Sequence, residues 1–322
     1  MKMAILGAGN IARKMATTIC GLDEVELYAV GARDLERAQA FADEFSATKA
    51  YGSYEELVAD DNIDLIYVAT LNYLHYEHVK LCLDNNRNVL CEKPFMMNTK
   101  QAKSILELAK SKNLFIAEAI WTRYLPMRET INEVLDSGII GEISTITANL
   151  GYTRHYSQRL LDPAIGGGAV LDLGVYVINF ASMILGTKVK NIMATACLTE
   201  KGVDCRNAIV LTYEDGKMAT LTTTFLATTD RTGVIHGKEG FIKLSNINNY
   251  ESLEVYNKEY ELVKRIEAPA QITGFEYQVL AAKKAIEQGK TECEEMPHEE
   301  ILRIMEVMDE VRAQCGVVFP CD

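Results

Sequence analysis

Along roughly the first third of the chain, short apolar runs alternate with stretches whose hydrophobic residues recur every three to four positions. The runs at 3–6, 25–30, 65–69, 88–90 and 114–117 predict strands. Between them, the periodic stretches predict helices near 11–20, 34–45, 75–85 and 99–111. In the second helix Leu35, Ala38, Phe41, Ala42 and Phe45 share one face, and Asp34 stands at the N-cap position. A short helix near 53–59 opens with Ser53 and Glu56 in capping-box register. Strands without polar alternation, separated by helices, require a sheet covered on both faces, which means a parallel α/β sheet.

After Trp121 the pattern changes. Residues 126–137 read as a linking helix ended by Gly138. Longer Thr- and Val-rich strands then follow at 144–150, 191–198, 207–213, 218–227, 233–236 and 241–244. Glu214-Asp215-Gly216 marks a hairpin turn. Helices are expected near 168–185, 275–288 and 298–314, packed on a large, mostly antiparallel open sheet. The fold class is therefore α/β: a doubly wound parallel sheet of Rossmann type over residues 1–120, followed by an α+β domain over 121–322.

Composition narrows the function classes. The 322 residues carry a formal net charge of −12, which argues against nucleic acid and anionic membrane as partners. No apolar run is expected to reach the roughly 20 residues that span a bilayer. The opening Met1–Gly7 segment could pass for a short signal sequence, but its glycine pattern reads as a strand and turn. Eight cysteines without a Cys-x-x-Cys pair suit reduced thiols and a cytoplasmic chain.

Gly7-Ala8-Gly9-Asn10-Ile11-Ala12 follows the first strand and opens the first helix. Gly7 permits the tight turn, Gly9 lets a pyrophosphate reach the backbone, and Ala12 allows close helix–sheet packing. A methyltransferase could use a similar loop. NAD-selective sites place an acid at the end of the second strand, whereas this chain reads Val30-Gly31-Ala32-Arg33-Asp34. Arg33, with Arg37 a turn later, can pair with a 2′-phosphate, so NADP(H) is expected in preference to NAD(H). Asp34 is better used as the helix cap.

Two more strand ends point to the same edge of the sheet: Thr70-Leu71-Asn72 running to His75, and Glu92-Lys93-Pro94. Further on, Gly166-Gly167-Gly168 precedes a helix that places Asp172 and Tyr176 four residues apart, where three glycines would let the backbone pass close to a ligand. His75 and His78 also lie one turn apart, but no third ligand is evident and no metal is expected. His155, Tyr156 and Arg159 form a polar stretch that reads either as substrate contacts or as a solvated loop. Trp121 and Arg123 follow the last parallel strand.

These motifs, in this order, resemble the glucose-fructose oxidoreductase/inositol dehydrogenase (Gfo/Idh/MocA) family over essentially the whole chain. Glu118-Ala119-Ile120-Trp121-Thr122-Arg123-Tyr124 with Tyr176 is similar to its dihydrodiol dehydrogenase and NADP-dependent aldose dehydrogenase branch. The resemblance implies hydride transfer between a nicotinamide cofactor and a sugar, polyol or trans-diol. Tyr176 would be the acid/base, assisted by Lys93, with Asp172 as a further catalytic residue. Gly7, Gly9, Asn10, Ile11, Ala12, Arg33, Arg37, Thr70, Leu71, Asn72, His75, Glu92, Lys93, Trp121 and Arg123 would surround the cofactor. Trp121 could equally serve as domain-interface core. Many relatives carry His where this chain has Tyr176, which argues against an inositol substrate. The resemblance also implies a homodimer or homotetramer formed through the C-terminal sheet. A dinucleotide-binding sensor without turnover and a cofactor-assisted glycosidase are the alternatives within the family.

Overall fold

Strand β1 (Lys2–Leu6) is the centre of the first sheet, and Met3 to Leu6 are completely buried. Beside it run β2 (Glu26–Gly31), β3 (Lys49–Tyr51), β4 (Leu65–Val68), β5 (Val89–Glu92) and β6 (Ile116–Ala119). Their order is β3-β2-β1-β4-β5-β6, and every pairing is parallel. The order reverses between β1 and β4, which opens a crevice at the carboxyl ends of the strands. Helices α1 (Asn10–Cys20), α2 (Leu35–Phe45), α3 (Tyr54–Val58), α4 (His75–Asp84) and α5 (Thr99–Lys112) connect them. The expected caps are present: Asp34 accepts a hydrogen bond from the Arg37 N–H at 2.8 Å and Ser53 from Glu56 at 3.2 Å.

This computed structural model describes residues 1–153 and 158–322. The chain divides into two units: Met1–Trp121 with Gln271–Leu302, and Thr122–Ala270 with Arg303–Asp322. The expected division into 1–120 and 121–322 is thus corrected, because the chain returns to the first unit. The returning helix α9 (Glu276–Glu287), in which Val279, Ala282 and Ala285 are buried, is part of the first unit and not of the unit that carries the antiparallel sheet. Its approach is fixed by Thr18 and Thr273, whose hydroxyls lie 2.6 Å apart, and by the Ile116 N–H, which donates to Thr291 O at 3.0 Å.

The second unit is built on eight strands: β7 (Ile143–Gly151), β8 (Val189–Leu198), β9 (Asp204–Tyr213), β10 (Met218–Thr224), β11 (Gly233–Gly237), β12 (Gly240–Ser245), β13 (Ser252–Asn257) and β14 (Leu262–Glu267). They are ordered β14-β13-β12-β11-β7-β10-β9-β8 and are antiparallel except for the β7–β10 pair. β13 and β14 were not anticipated. β14 is an exposed edge with Lys264, Arg265 and Glu267, a composition that hides a strand and also blunts its unpaired edge. Helices α6 (Met127–Asp136), α7 (Gln158–Leu161) and α8 (Val175–Leu185) lie in this unit. Helix α10 (His298–Cys315) begins in the first unit and ends in the second.

Helix α8 packs on β7 and β10, and the Phe180 ring sits so close to Gly233 that a Cβ there would come within 2.6 Å of it. Contrary to the expectation from the apolar runs, the helical stretch Pro163–Leu185 is long and apolar enough to cross a membrane by length and composition alone. Most of it is buried inside the unit. Its apolar side chains form the core under the sheet.

Candidate active site

The first unit builds a nucleotide cradle from its glycine loop. Gly7 has φ +115°, and a Cβ on it would stand 2.9 Å from Ala69 O. Only glycine lets β1 turn away so close to the end of β4. Gly9 is the N-cap of α1, makes no side-chain cap, and has open space where a Cβ would be. Ala12 is completely buried beneath the helix. An open approach to uncapped backbone N–H groups at a helix start is what a dinucleotide pyrophosphate needs, so these residues fit the cofactor. Asn10 and Ile11 supply the first-turn amides.

At the end of β2, Arg33 and Arg37 are exposed, and Arg37 Nη2 donates to Ala8 O at 3.0 Å, which ties α2 to the glycine loop. Both guanidinium groups lie in electrostatic reach of Tyr54. They partly offset the rise that burial imposes on its phenol. Asp34 Oδ1 is engaged as the cap of α2.

The 70–75 loop and the Glu-Lys-Pro loop are pinned together through His75. This side chain is completely buried, with Nδ1 2.9 Å from Pro94 O and Nε2 3.3 Å from Thr70 O. Desolvation lowers its pKa to about 4, so the ring is neutral and one N–H donates. His75 therefore shapes the loops through backbone contacts. The direct cofactor contact expected of it is corrected, because no edge of the ring is exposed. His78 Nδ1 lies 3.0 Å from Thr70 Oγ1, and its ring meets Tyr54 edge-on. Leu71 is exposed, whereas Asn72 is buried at the start of a short 3₁₀ turn.

Glu92 ends β5 with its carboxyl buried, and the Tyr67 hydroxyl donates to its Oε1. Burial raises the Glu92 pKa to about 7, against the opposing pull of Tyr67, Lys93 and Lys14. Lys93 follows, joined to Pro94 by a cis peptide. On the other side of the strand, Glu118 Oε1 accepts from the Phe95 N–H at 2.9 Å. Trp121 packs edge-on against Phe275, with ring centroids 4.8 Å apart. Sequence reasoning missed Tyr67, Lys14 and Phe275, which lie far apart in the chain and carry no motif.

In the second unit the Gly triplet does a different job from the one expected. A Cβ on Gly167 would strike Leu160 O at 2.7 Å, and one on Gly168, at φ +115°, would strike Asp204 Oδ1 at 2.5 Å. The glycines thus admit neighbouring chain and a carboxylate, not a ligand. Asp204 is almost fully buried, and its Oδ2 accepts from the Val170 N–H at 2.8 Å. It caps the helix that carries the candidate catalytic pair. Desolvation raises its pKa, with the Asn207 amide opposing.

That helix begins as a π-helical turn, Val170–Gly174, before α8. The simple α-helical spacing expected for Asp172 and Tyr176 is therefore widened at Asp172; such turns recur at functional sites. Both side chains are largely buried. Asp172 Oδ1 holds Arg159 Nη2 at 3.2 Å, so the fold pairs the expected substrate contact Arg159 with the expected catalytic Asp172. Arg123, expected beside the cofactor, instead donates from Nε to Asn179 Oδ1 at 2.5 Å and from Nη2 to Ser182 Oγ at 3.2 Å. It clamps α8, because a buried guanidinium must find acceptors and α8 presents them. His155 and Tyr156 lie outside the described residues.

Residues 1–119 match the oxidoreductase family with an NAD-binding Rossmann fold, and residues 129–243 match the GFO/IDH/MocA C-terminal domain. The chain belongs to the Gfo/Idh/MocA oxidoreductase family. It is 33% identical over 327 residues to a trans-1,2-dihydrobenzene-1,2-diol dehydrogenase of Xenopus tropicalis, covering 99% of both chains. The Mus musculus enzyme of that name is 33% identical over 335 residues, covering 100% of this chain and 99% of the relative. The fold is shared with KijD10, a 3-ketoreductase from Actinomadura kijaniata in complex with NADP and TDP-benzene (TM-score 0.89, 23% identity, 98% of each chain). It is also shared with an aldose-aldose oxidoreductase from Caulobacter crescentus complexed with glycerol (TM-score 0.89, 18% identity, 98% and 97% of the chains). As a member of this family the protein is an oxidoreductase that binds a nicotinamide cofactor on its Rossmann unit.

Proposed function

We propose that the protein is an NADP-preferring dehydrogenase acting reversibly on a hydroxyl or carbonyl of a sugar, polyol or trans-diol. The observation that carries the cofactor preference is the end of β2, where Asp34 is used as the cap of α2 and Arg33 and Arg37 stand exposed beside the glycine loop. An anionic 2′-phosphate finds two guanidinium groups there, and the acid that would accept from a free ribose hydroxyl is engaged. The substrate class rests on the full-length likeness to diol dehydrogenases, together with Lys93 and Tyr176 at the positions the family resemblance assigns to chemistry.

When bound, the nicotinamide cofactor accepts or supplies the hydride. The chain's own residues manage the proton and the charge. In the oxidation direction Tyr176 acts as the phenolate and takes the hydroxyl proton on its phenolic oxygen; in the reduction direction it starts as the phenol and gives that proton up. The Lys93 ammonium stabilises the negative charge that develops meanwhile. Asp172 orients Arg159.

Nicotinamide absorbance, followed with NADP and then NAD across aldoses, inositols and trans-diols, tests the reading. Reduction of NADP by a sugar or diol supports it. Silence across the panel, with NADPH still bound, sinks the dehydrogenase and leaves a dinucleotide sensor. Free sugar released from a glycoside without net cofactor reduction would instead identify a glycosidase.

Replacing Arg33 with alanine is expected to raise KM for NADP by about 10–100-fold, as loss of a charge-assisted contact worth ~1.5–3 kcal/mol requires. KM for NAD should hardly move. Equal effects on the two cofactors would remove Arg33 from 2′-phosphate recognition.

A further inference from the structure

Lys14, on α1, projects its ammonium between two aromatic rings, 4.3 Å from the centroid of Trp121 and 4.1 Å from that of Phe275. Both rings and the lysine belong to the first unit. Two carboxyl groups of the same unit act on it: Glu92 at the end of β5, and Glu276 at the start of α9. Glu276 is itself tied down, because it accepts from the N–H groups of Ile272, Thr273 and Gly274 at 2.7, 3.1 and 2.8 Å. Gly274, at φ +88°, lies where a Cβ would come within 2.5 Å of the Trp121 ring. Residues 272–274 thus lie against Trp121 with their N–H groups tied to Glu276, and Lys14 stands over the same ring.

This is an unusual setting for a helix lysine. Half-burial lowers its pKa, and the two carboxylates only partly restore it. Ring faces attract the cation, but they offer it no hydrogen bond of the strength water provides. Nothing in the fold of α1 requires a charge here, since the helix already buries Ala12, Met15, Ala16 and Ile19.

The position of the cluster suggests its use. In a sheet of order 3-2-1-4-5-6, the adenosine half of a dinucleotide lies over β1–β3 and the nicotinamide half over β4–β6. Tyr67 is on β4, Glu92 ends β5 and Trp121 follows β6, all in the nicotinamide half. The oxidised nicotinamide ring is cationic and the reduced ring is neutral. A fixed positive charge in that half disfavours the oxidised form, and a carboxylate favours it.

We propose that Lys14 and Glu92 set the preference of the site between oxidised and reduced cofactor: the Lys14 ammonium biases it toward NADPH, and the ionised Glu92 carboxylate opposes that bias. This rests on the nicotinamide cofactor reading and adds a pair of positioning residues that act on cofactor charge. Among the described residues, the titratable groups that act on Glu92 include Tyr67 from β4, Lys14 from α1 and its own neighbours Lys93 and Cys91. Glu276 from α9 faces Lys14. Because burial raises the Glu92 pKa to about 7, raising the pH through neutrality adds a negative charge in the nicotinamide half of the unit and shifts preference toward NADP⁺. Loss of the Lys14 proton at higher pH acts in the same direction. The 2′-phosphate is common to both forms and cancels in the ratio of their dissociation constants.

Calorimetric titration of the full chain with NADP⁺ and with NADPH measures that ratio directly, without turnover. At pH 7.5, Lys14→Met should move it toward NADP⁺ by about threefold or more, the effect of removing one partly screened like charge. Lys14→Arg should leave it near wild type. Glu92→Gln should move it toward NADPH and flatten its change between pH 6 and 8. An unchanged ratio in folded Lys14→Met, or the same change in Lys14→Arg, overturns the proposal. If Lys14→Met does not fold, the pH series and Glu92→Gln decide, and a flat wild-type series overturns it. Binding of neither form by the wild type would overturn the cofactor reading itself, a separate result.

Discussion

Replacing Tyr176 by phenylalanine is expected to lower turnover by about 10²–10⁴-fold, the usual worth of a positioned general acid/base. Binding of NADP should be unaffected, because the substitution removes one oxygen from a helix of the second unit and leaves the glycine cradle untouched. The ring stays, so packing of the largely buried side chain is preserved and the cost in stability should be no more than that of one hydrogen bond, about 0.5–1.5 kcal/mol. The pH profile is the sharper readout. A limb of the kcat profile that belongs to the phenol should vanish in the variant. Turnover near wild type, with that limb intact, would take Tyr176 out of proton transfer and reassign the role to another residue.

Gly168→Ala is expected to cost about 2–4 kcal/mol of stability, from backbone strain at positive φ and loss of a helix cap. At φ +115° an alanine is strained in any setting, and here its Cβ would meet Asp204 Oδ1 at 2.5 Å. The carboxylate must retreat, and its 2.8 Å bond to the Val170 N–H goes with it. That bond starts the helical segment carrying Asp172 and Tyr176, so activity should fall together with the melting temperature. An unchanged melting temperature would mean that Asp204 does not hold this helix.

The two effects separate placement from chemistry. In the second unit Asp204 holds the start of the helix, Arg123 holds its side through Asn179 and Ser182, and β7 and β10 lie under it. Tyr176 then has its position imposed from several directions, a condition for efficient acid/base work. The π-helical turn fits the same scheme, since a widened turn offsets Asp172 toward Arg159 without displacing α8.

Much of this was legible in the chain. Apolar runs alternating with 3.6-residue periodicity identify β1, β2, β4, β5 and β6 with their helices, because a strand covered on both faces leaves no polar alternation. Gly7, Gly9 and Ala12 announce the cradle through backbone freedom and small volume, which are properties of single residues. Asp34 and Ser53 announce caps for the same local reason. Strands β3, β13 and β14 were not legible. β3 is short and at an edge, and β14 is an exposed edge, where solvent replaces the buried face that produces a pattern; in β13 the apolar alternation is confined to Leu253 and Val255, between polar neighbours.

By itself, the sequence determined what depends on near neighbours: the parallel α/β rhythm, the glycine loop, the helix caps, and the motifs that resemble the Gfo/Idh/MocA family. Only the tertiary structure decided which partner each buried polar group takes. Arg123 serves α8, His75 serves a loop carbonyl, and Gly168 serves Asp204. It alone returned residues 271–302 to the first unit and set Lys14 between Trp121 and Phe275. The physical reason is that a buried charge or hydrogen-bonding group must be satisfied by whatever the fold brings within about 3 Å, and those partners lie far away along the chain.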